Sequence, residues 1–242
     1  MIPGDLKIIF QDEWIVAINK PSGLLVHRTN LDPEEKYFAM TMLRDQIGCW
    51  VYPIHRLDKG TSGVLLFSKN QEMASVLGQM ILNHQFTKEY LAIVRGYSPD
   101  EAVIDYPVPQ GRKEERKPAL SRFRTLTRTE INEAVGIFET ARYSVLSVIP
   151  ETGRRHQIRR HLKHIFYPII GDRRYGDRAH NKFFKNKLDL TEMFLHARIL
   201  SFTHPIGKEE ICIEADLPDH WSKALNCISI KPEYLFNLLR KK

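Results

Sequence analysis

The chain has 242 residues (28.3 kDa), with 43% hydrophobic and 27% charged side chains, enough apolar content to bury a core and to exclude disorder over most of its length. No apolar run approaches the ~18 residues a membrane span needs, and the opening Met1-Ile2-Pro3-Gly4-Asp5 has no basic and apolar regions of a secretion signal. Lys and Arg exceed Asp and Glu by 7, and the surplus is local: residues 151–200 hold twelve Lys and Arg against five Asp and Glu, a field that suits a polyanion or forms a solvated basic face.

In chain order, Leu6–Phe10 and Trp14–Asn19 read as two short strands around a polar turn, and Lys20-Pro21-Ser22-Gly23 is a turn signal. Met40, Leu43 and Ile47 have helical spacing. The apolar run Ser62–Ser68 reads as a buried strand. Met73, Val76, Leu77, Met80 and Ile81 form the stripe of an amphipathic helix. Phe86–Arg95 alternates as a long strand, Gly111–Pro118 is expected to be an exposed loop, and Ser121–Thr127 and Arg142–Ile149 are further strands. Ile158, Leu162 and Ile165 mark another helix. Phe194–Ser201 and Glu210–Ala215 are short strands, and Pro232 opens a last helix through Leu239. Hairpin-like pairs outnumber βαβ units, which predicts an α+β fold. Residues 1–242 are expected to form a single domain.

Three segments could carry chemistry. In His55-Arg56-Leu57-Asp58-Lys59-Gly60-Thr61-Ser62-Gly63, glycines and small hydroxyl residues surround one carboxylate just before an apolar strand. Such a loop suits a catalytic group, or Asp58 is a turn-former. In Thr152-Gly153-Arg154-Arg155-His156-Gln157-Ile158-Arg159-Arg160, Arg159 flanks the apolar stripe while Arg155 and Arg160 lie towards solvent. An arginine at the edge of a core calls for a carboxylate partner, because an unpaired buried charge is costly; the plainer reading is a basic surface helix. In Lys88-Glu89-Tyr90-Leu91-Ala92, strand geometry puts Lys88, Tyr90 and Ala92 on one face, where Tyr90 could stack on a base or simply pack.

Other chemistries find no support. His156, His161 and His164 lack metal-ligand spacing and a completing carboxylate. There is no P-loop, GxGxxG or GxSxG motif. Cys49, Cys212 and Cys227 are far apart and in no CxxC pair, which argues against a disulfide framework and fits a reducing cytoplasm.

The His55–Gly63 loop resembles the signature loop of the RluA-type pseudouridine synthases. Other pieces recur in that family's order: Asn19-Lys20-Pro21-Ser22-Gly23, Lys88-Glu89-Tyr90, Thr152-Gly153-Arg154-x-His156-Gln157-Ile158-Arg159 and Pro168-Ile169-Ile170-Gly171-Asp172. The resemblance covers roughly residues 6–220. It implies a long mixed, mostly antiparallel sheet flanked by helices, with a central basic cleft. It implies isomerisation of uridine in RNA with no cofactor and no metal. By position, Asp58 matches the catalytic aspartate, Tyr90 the active-site tyrosine and Arg159 the arginine paired with that aspartate. Leu195 matches an apolar residue packed beside the base, and His55, Arg56, Arg155 and Arg160 are expected to contact the substrate. The N-terminal S4-type RNA-binding domain of many members is expected to be absent. The opening IIFQDEWIVAINKPSGLLVHR and the stretch RDQIG are similar to tRNA-modifying members, which implies uridine 65 of tRNA as target; 23S rRNA is the alternative. A catalytically silent RNA-binding protein and an N-glycosylase are the readings from other classes. The protein is expected to be a cytoplasmic monomer with RNA, not a membrane, as its partner.

Overall fold

A computed structural model describes residues 4–29, 32–110 and 115–240. In chain order the elements are β1 (Ile8–Gln11), β2 (Ile15–Lys20), α1 (Ala39–Ile47), β3 (Tyr52–Pro53), β4 (Ser62–Ser68), α2 (Gln71–Leu82), β5 (Thr87–Arg95), β6 (Glu101–Asp105), β7 (Val108–Gln110), β8 (Glu115–Lys117), β9 (Leu120–Ile131), β10 (Ala141–Pro150), α3 (Gln157–His164), α4 (Arg178–Leu188), β11 (Leu195–Thr203), β12 (Glu210–Glu214), α5 (Asp219–Cys227) and α6 (Pro232–Arg240). Strands and helices are interspersed as the α+β expectation requires. The chain divides into two compact units, one of residues 1–88 with 197–217, the other of residues 89–196 with 218–242.

In the first unit the strands run in the order β1-β2-β4-β11, with β12 on β11 and β3 on β4. The pairings β1–β2, β2–β4, β3–β4 and β11–β12 are antiparallel. Every residue of β4 is buried, as its continuous apolar run demands. Helix α2 starts where the Asn70 side chain accepts a hydrogen bond from the Met73 amide. It turns Met73 and Leu77 into a core that also holds Ile15, Val64, Leu66, Leu200 and Phe202. Val76, expected in that stripe, is 45% exposed, so the buried face is narrower than the spacing suggests.

In the second unit the order is β5-β10-β9-β6, with antiparallel β5–β10, β10–β9 and β9–β6 pairings. Helix α3 packs on β9 and β10, placing Ile158 and Leu162 against Ala92, Val94, Phe123, Leu146 and Leu195. The structure departs from the sequence reading in several places: β3, β6, β7 and α5 lie in segments for which no strand or helix was expected. The expected loop Gly111–Pro118 contains β8, paired with β7 in a separate hairpin; residues 111–114 of that loop lie outside the described residues. Strand β9 extends to Ile131, beyond the expected Thr127. Helix α4 was not expected, because its core side is only His180 and Phe184; its signal is the cap, Asp177, which accepts from the Ala179 and His180 amides.

Gly63 opens β4 with φ 111°, and a Cβ there would lie 2.1 Å from the Ala197 carbonyl oxygen. Gly63→Ala should therefore destabilise the protein by more than about 3 kcal/mol. Gly78, within α2 and with open space around it, gives the control: Gly78→Ala should hold or raise stability by about 0.5–1 kcal/mol. Urea unfolding of both variants checks the contrast, and equal effects would mean that the Gly63 backbone gives way.

Candidate active site

The Asp58 loop is built around a buried lysine. Lys20 ends β2 with 0% exposure, and its ammonium donates to the carbonyls of Pro21 (2.8 Å), Leu24 (2.8 Å) and Lys59 (3.3 Å). The Gly23 amide donates to the same Lys59 carbonyl (2.8 Å), and the Ser22 hydroxyl to that of Gly60 (2.9 Å). The turn Lys20–Gly23 and the loop Asp58–Gly60 are thus sewn together through backbone carbonyls of the loop. Within the loop the Thr61 amide donates to the Asp58 carbonyl (3.0 Å). Burial pushes the Lys20 pKa down to about 7, and the negative charge of Asp58 acts in the opposite sense. Sequence reading quoted Lys20 without giving it a role, because a lysine beside a turn reads as surface.

The other residues of the loop divide by environment. The Lys59 ammonium bridges Asp32 and Glu35, both at 2.5 Å, and these bonds raise its pKa. His55 accepts a hydrogen bond at Nε2 from the Leu66 amide (3.2 Å). That bond requires the neutral ring with its proton on Nδ1. Burial, then the nearby Lys88 charge, holds the His55 pKa down to about 3, in keeping with the same form. A substrate would have to meet His55 at Nδ1. Arg56 is exposed, Leu57 is buried beneath the loop and Asp58 is half-buried.

The second unit carries the arginine segment. His156 enters α3 in the left-handed region with φ 54°. Next to it Gln157, 4% exposed, uses its whole amide. Its Oε1 accepts from the Thr152 hydroxyl (2.6 Å) and the Arg154 amide (3.0 Å), while Nε2 donates to the Leu120 carbonyl (2.8 Å) and the Ser121 hydroxyl (3.0 Å). The turn before the helix is thereby fastened to β9. His161, fully buried, lies between the Ser121 hydroxyl (3.0 Å from Nδ1) and the Tyr106 carbonyl (2.9 Å from Nε2). The carbonyl can only accept, so the proton is on Nε2 and Nδ1 accepts from Ser121. Among the described residues no group of three or more His, Cys, Asp or Glu is placed to hold a metal ion.

Arg159 projects from α3 with its side chain only 11% exposed and grips Asp172: Nε to Oδ2 at 2.7 Å, Nη2 to Oδ1 at 2.9 Å. The carboxylate partner that an arginine at a core edge calls for is therefore present, and it is a residue to which the sequence reading gave no role. Arg160 donates from Nη1 to the Pro109 carbonyl (2.7 Å) and from Nε to the Tyr175 hydroxyl (3.0 Å), so it is half-buried and tied to β7, less open than expected. Arg155 is exposed, as expected. Leu195 is 3% exposed, in the cluster against which Tyr90 packs, together with Ala92 and Ile158.

Residues 14–164 match the RNA pseudouridylate synthase family. The chain belongs to that family, whose members isomerise uridine within RNA, and the resemblance read from the motifs is borne out. It is 44% identical over 231 residues to the tRNA pseudouridine synthase C of Haemophilus ducreyi, covering 92% of this chain and 95% of that protein. It is 42% identical over 233 residues to the tRNA pseudouridine synthase C of Vibrio parahaemolyticus, with the same coverage. Among solved structures, human RNA Pseudouridylate Synthase Domain Containing 1 shares the fold over all of this chain and 98% of its own, with TM-score 0.70 at 22% identity.

The lysine gives a linkage test. Its folded pKa, about 7, lies below the unfolded value of 10.5, so between these values the unfolded chain holds the extra proton. Stability from this group must rise as pH rises through that window and level off below it, by roughly 1 kcal/mol per pH unit within it. Unfolding of the wild type and Lys20→Met at pH 7 and pH 9 checks this: the wild type should gain relative to the variant at pH 9. Parallel stabilities would mean that Lys20 keeps its proton in the fold.

Proposed function

We propose that the enzyme isomerises uridine 65 of tRNA to pseudouridine, as a cytoplasmic monomer in which residues 1–242 act as one catalytic domain. The observation that carries the reading is the Asp58 loop, held in place by a buried lysine and placed just before a fully buried strand. The 42–44% identity to enzymes named tRNA pseudouridine synthase C, over nearly the whole of both chains, supports the choice of tRNA. The target position follows from the likeness of the opening segment to tRNA-modifying members.

In this reading the Asp58 carboxylate acts on the ribose as the N1–C1′ bond breaks, much as a carboxylate does in glycoside hydrolysis. The uracil turns, the C5–C1′ bond forms, C5 loses its proton and N1 gains one, so atoms balance without cofactor or metal. Arg159 is assigned as the cation paired with the catalytic carboxylate. Tyr90 and Leu195 bound the space in which the base turns, and His55, Arg56, Arg155 and Arg160 are assigned to the surrounding RNA. A uridine in a stem must first be unpaired and flipped out. With twelve Lys and Arg in residues 151–200, that segment is assigned the phosphate grip.

The direct test is nucleoside analysis of tRNA after incubation with the enzyme, with the site mapped by carbodiimide primer extension. Pseudouridine at position 65 supports the reading. Pseudouridine only in 23S rRNA moves the substrate, free uracil with an abasic site indicates an N-glycosylase, and no change indicates a binding protein. Asp58→Ala should keep less than about 1% of turnover with RNA affinity within a few fold, and Tyr90→Phe should lose roughly 10²-fold in single-turnover rate with its stability retained. Affinity for tRNA should fall with salt at a log–log slope of about −3 to −5, as on the order of five phosphate contacts require; a slope near zero in a filter-binding titration would remove residues 151–200 from the RNA interface.

A further inference from the structure

Asp172 ends a segment fixed from three sides. Ile169 and Ile170 are buried, with the Ile170 amide donating to the Ile93 carbonyl (3.0 Å) and the Phe194 amide to the Ile170 carbonyl (2.9 Å). Gly171, with φ 79°, lies so close to the Glu192 backbone that a Cβ would be 1.8 Å from its carbonyl oxygen. Asn181 spans the next peptide, its Oδ1 accepting from the Gly171 amide (2.8 Å) and its Nδ2 donating to the Asp172 carbonyl (3.0 Å). The Asp172 carboxylate is 1% exposed, and besides Arg159 its Oδ1 accepts from the amides of Arg174 (2.9 Å) and Tyr175 (3.0 Å). The Tyr175 ring then lies 5.1 Å from the Arg159 guanidinium carbon. Burial alone would raise the Asp172 pKa; the Arg159 bonds and charge and the two amides outweigh it and hold the carboxyl below its usual range.

This is more anchoring than a surface ion pair receives. An arginine side chain carries about 2 kcal/mol of rotamer entropy, and a carboxylate that grips Nε and Nη2 fixes both the plane and the direction of the guanidinium. We propose that Asp172 is a positioning residue for the isomerisation: its two-point grip sets the orientation of the Arg159 guanidinium. The inference rests on the assignment of Arg159 to the reaction made above. Preorganisation of this kind matters most where a charge must already be in place when the transition state forms. Asp172 itself touches no reacting atom.

The test is a double-mutant cycle on single-turnover pseudouridine formation, with tRNA affinity and thermal unfolding measured for each protein. Asp172→Asn keeps the size and the amide acceptor but loses the charge and the two-point grip. It should slow turnover by roughly 10²-fold with RNA affinity within about threefold. In an Arg159→Ala background the same change should cost less than about twofold, because the residue it positions is gone. Asp172→Glu carries the same cycle if the Asn variant does not fold: it should restore the charge without the geometry and remain slow. Wild-type turnover in Asp172→Asn, or the same slowing with and without Arg159, overturns the proposal. Wild-type turnover in Arg159→Ala overturns the Arg159 assignment instead, and the positioning role with it, so the two failures are told apart.

Discussion

A lysine ammonium with no exposure has to find acceptors or lose its proton, and in this protein that constraint shapes the Asp58 loop. Lys20 takes the carbonyls of Pro21, Leu24 and Lys59, so two segments nearly forty residues apart are joined by one cation. Backbone carbonyls make good partners here, because they cannot rotate away as side chains do. The lysine reaches the loop through its backbone, at the Lys59 carbonyl. Lys59 turns outward to Asp32 and Glu35, and its positive charge is therefore shared with two carboxylates.

The second unit solves a similar problem with neutral groups. Gln157 and His161 are both buried on α3, and every polar atom of their side chains has a partner of the right sense. Burying such groups without partners would cost about 1–3 kcal/mol each; with them, the helix is fixed in register against β9. Arg159 is a charged residue of the same helix, and it is gripped by a carboxylate outside the helix. Placement by packing and aiming by charge are separate devices in this segment.

Much of the fold was legible because apolar pattern and burial coincide. Strand β4 reads directly from Ser62–Ser68, where every residue is buried, and α2 and α3 read from their apolar spacing. Helix α4 escaped because Phe184 and a histidine make up its buried side, and β6 and β7 because they are only five and three residues long. The candidate residues came from local motifs and a family resemblance. The residues that hold those motifs in place are harder to see: Lys20 and Asp172 are charged, and charge ordinarily marks the surface. Their burial and their hydrogen bonds, to the Lys59 carbonyl for Lys20 and to the Arg159 guanidinium for Asp172, reveal that they are interior. The Gly-Asp step after a buried Ile-Ile pair is the one sequence cue for Asp172, since a carboxylate placed there must be satisfied from elsewhere.

The hairpin of β7 and β8 is bound at its base to the same helix that carries Arg159. Arg160 holds the Pro109 carbonyl, Arg154, just before the helix, reaches the Pro118 carbonyl, and Tyr106 stacks on His164 and has the Arg116 guanidinium over its ring. These contacts are all internal to the protein, so the base of the hairpin is fastened to α3 by a guanidinium and an aromatic stack, and its seat on the helix needs no ligand to form.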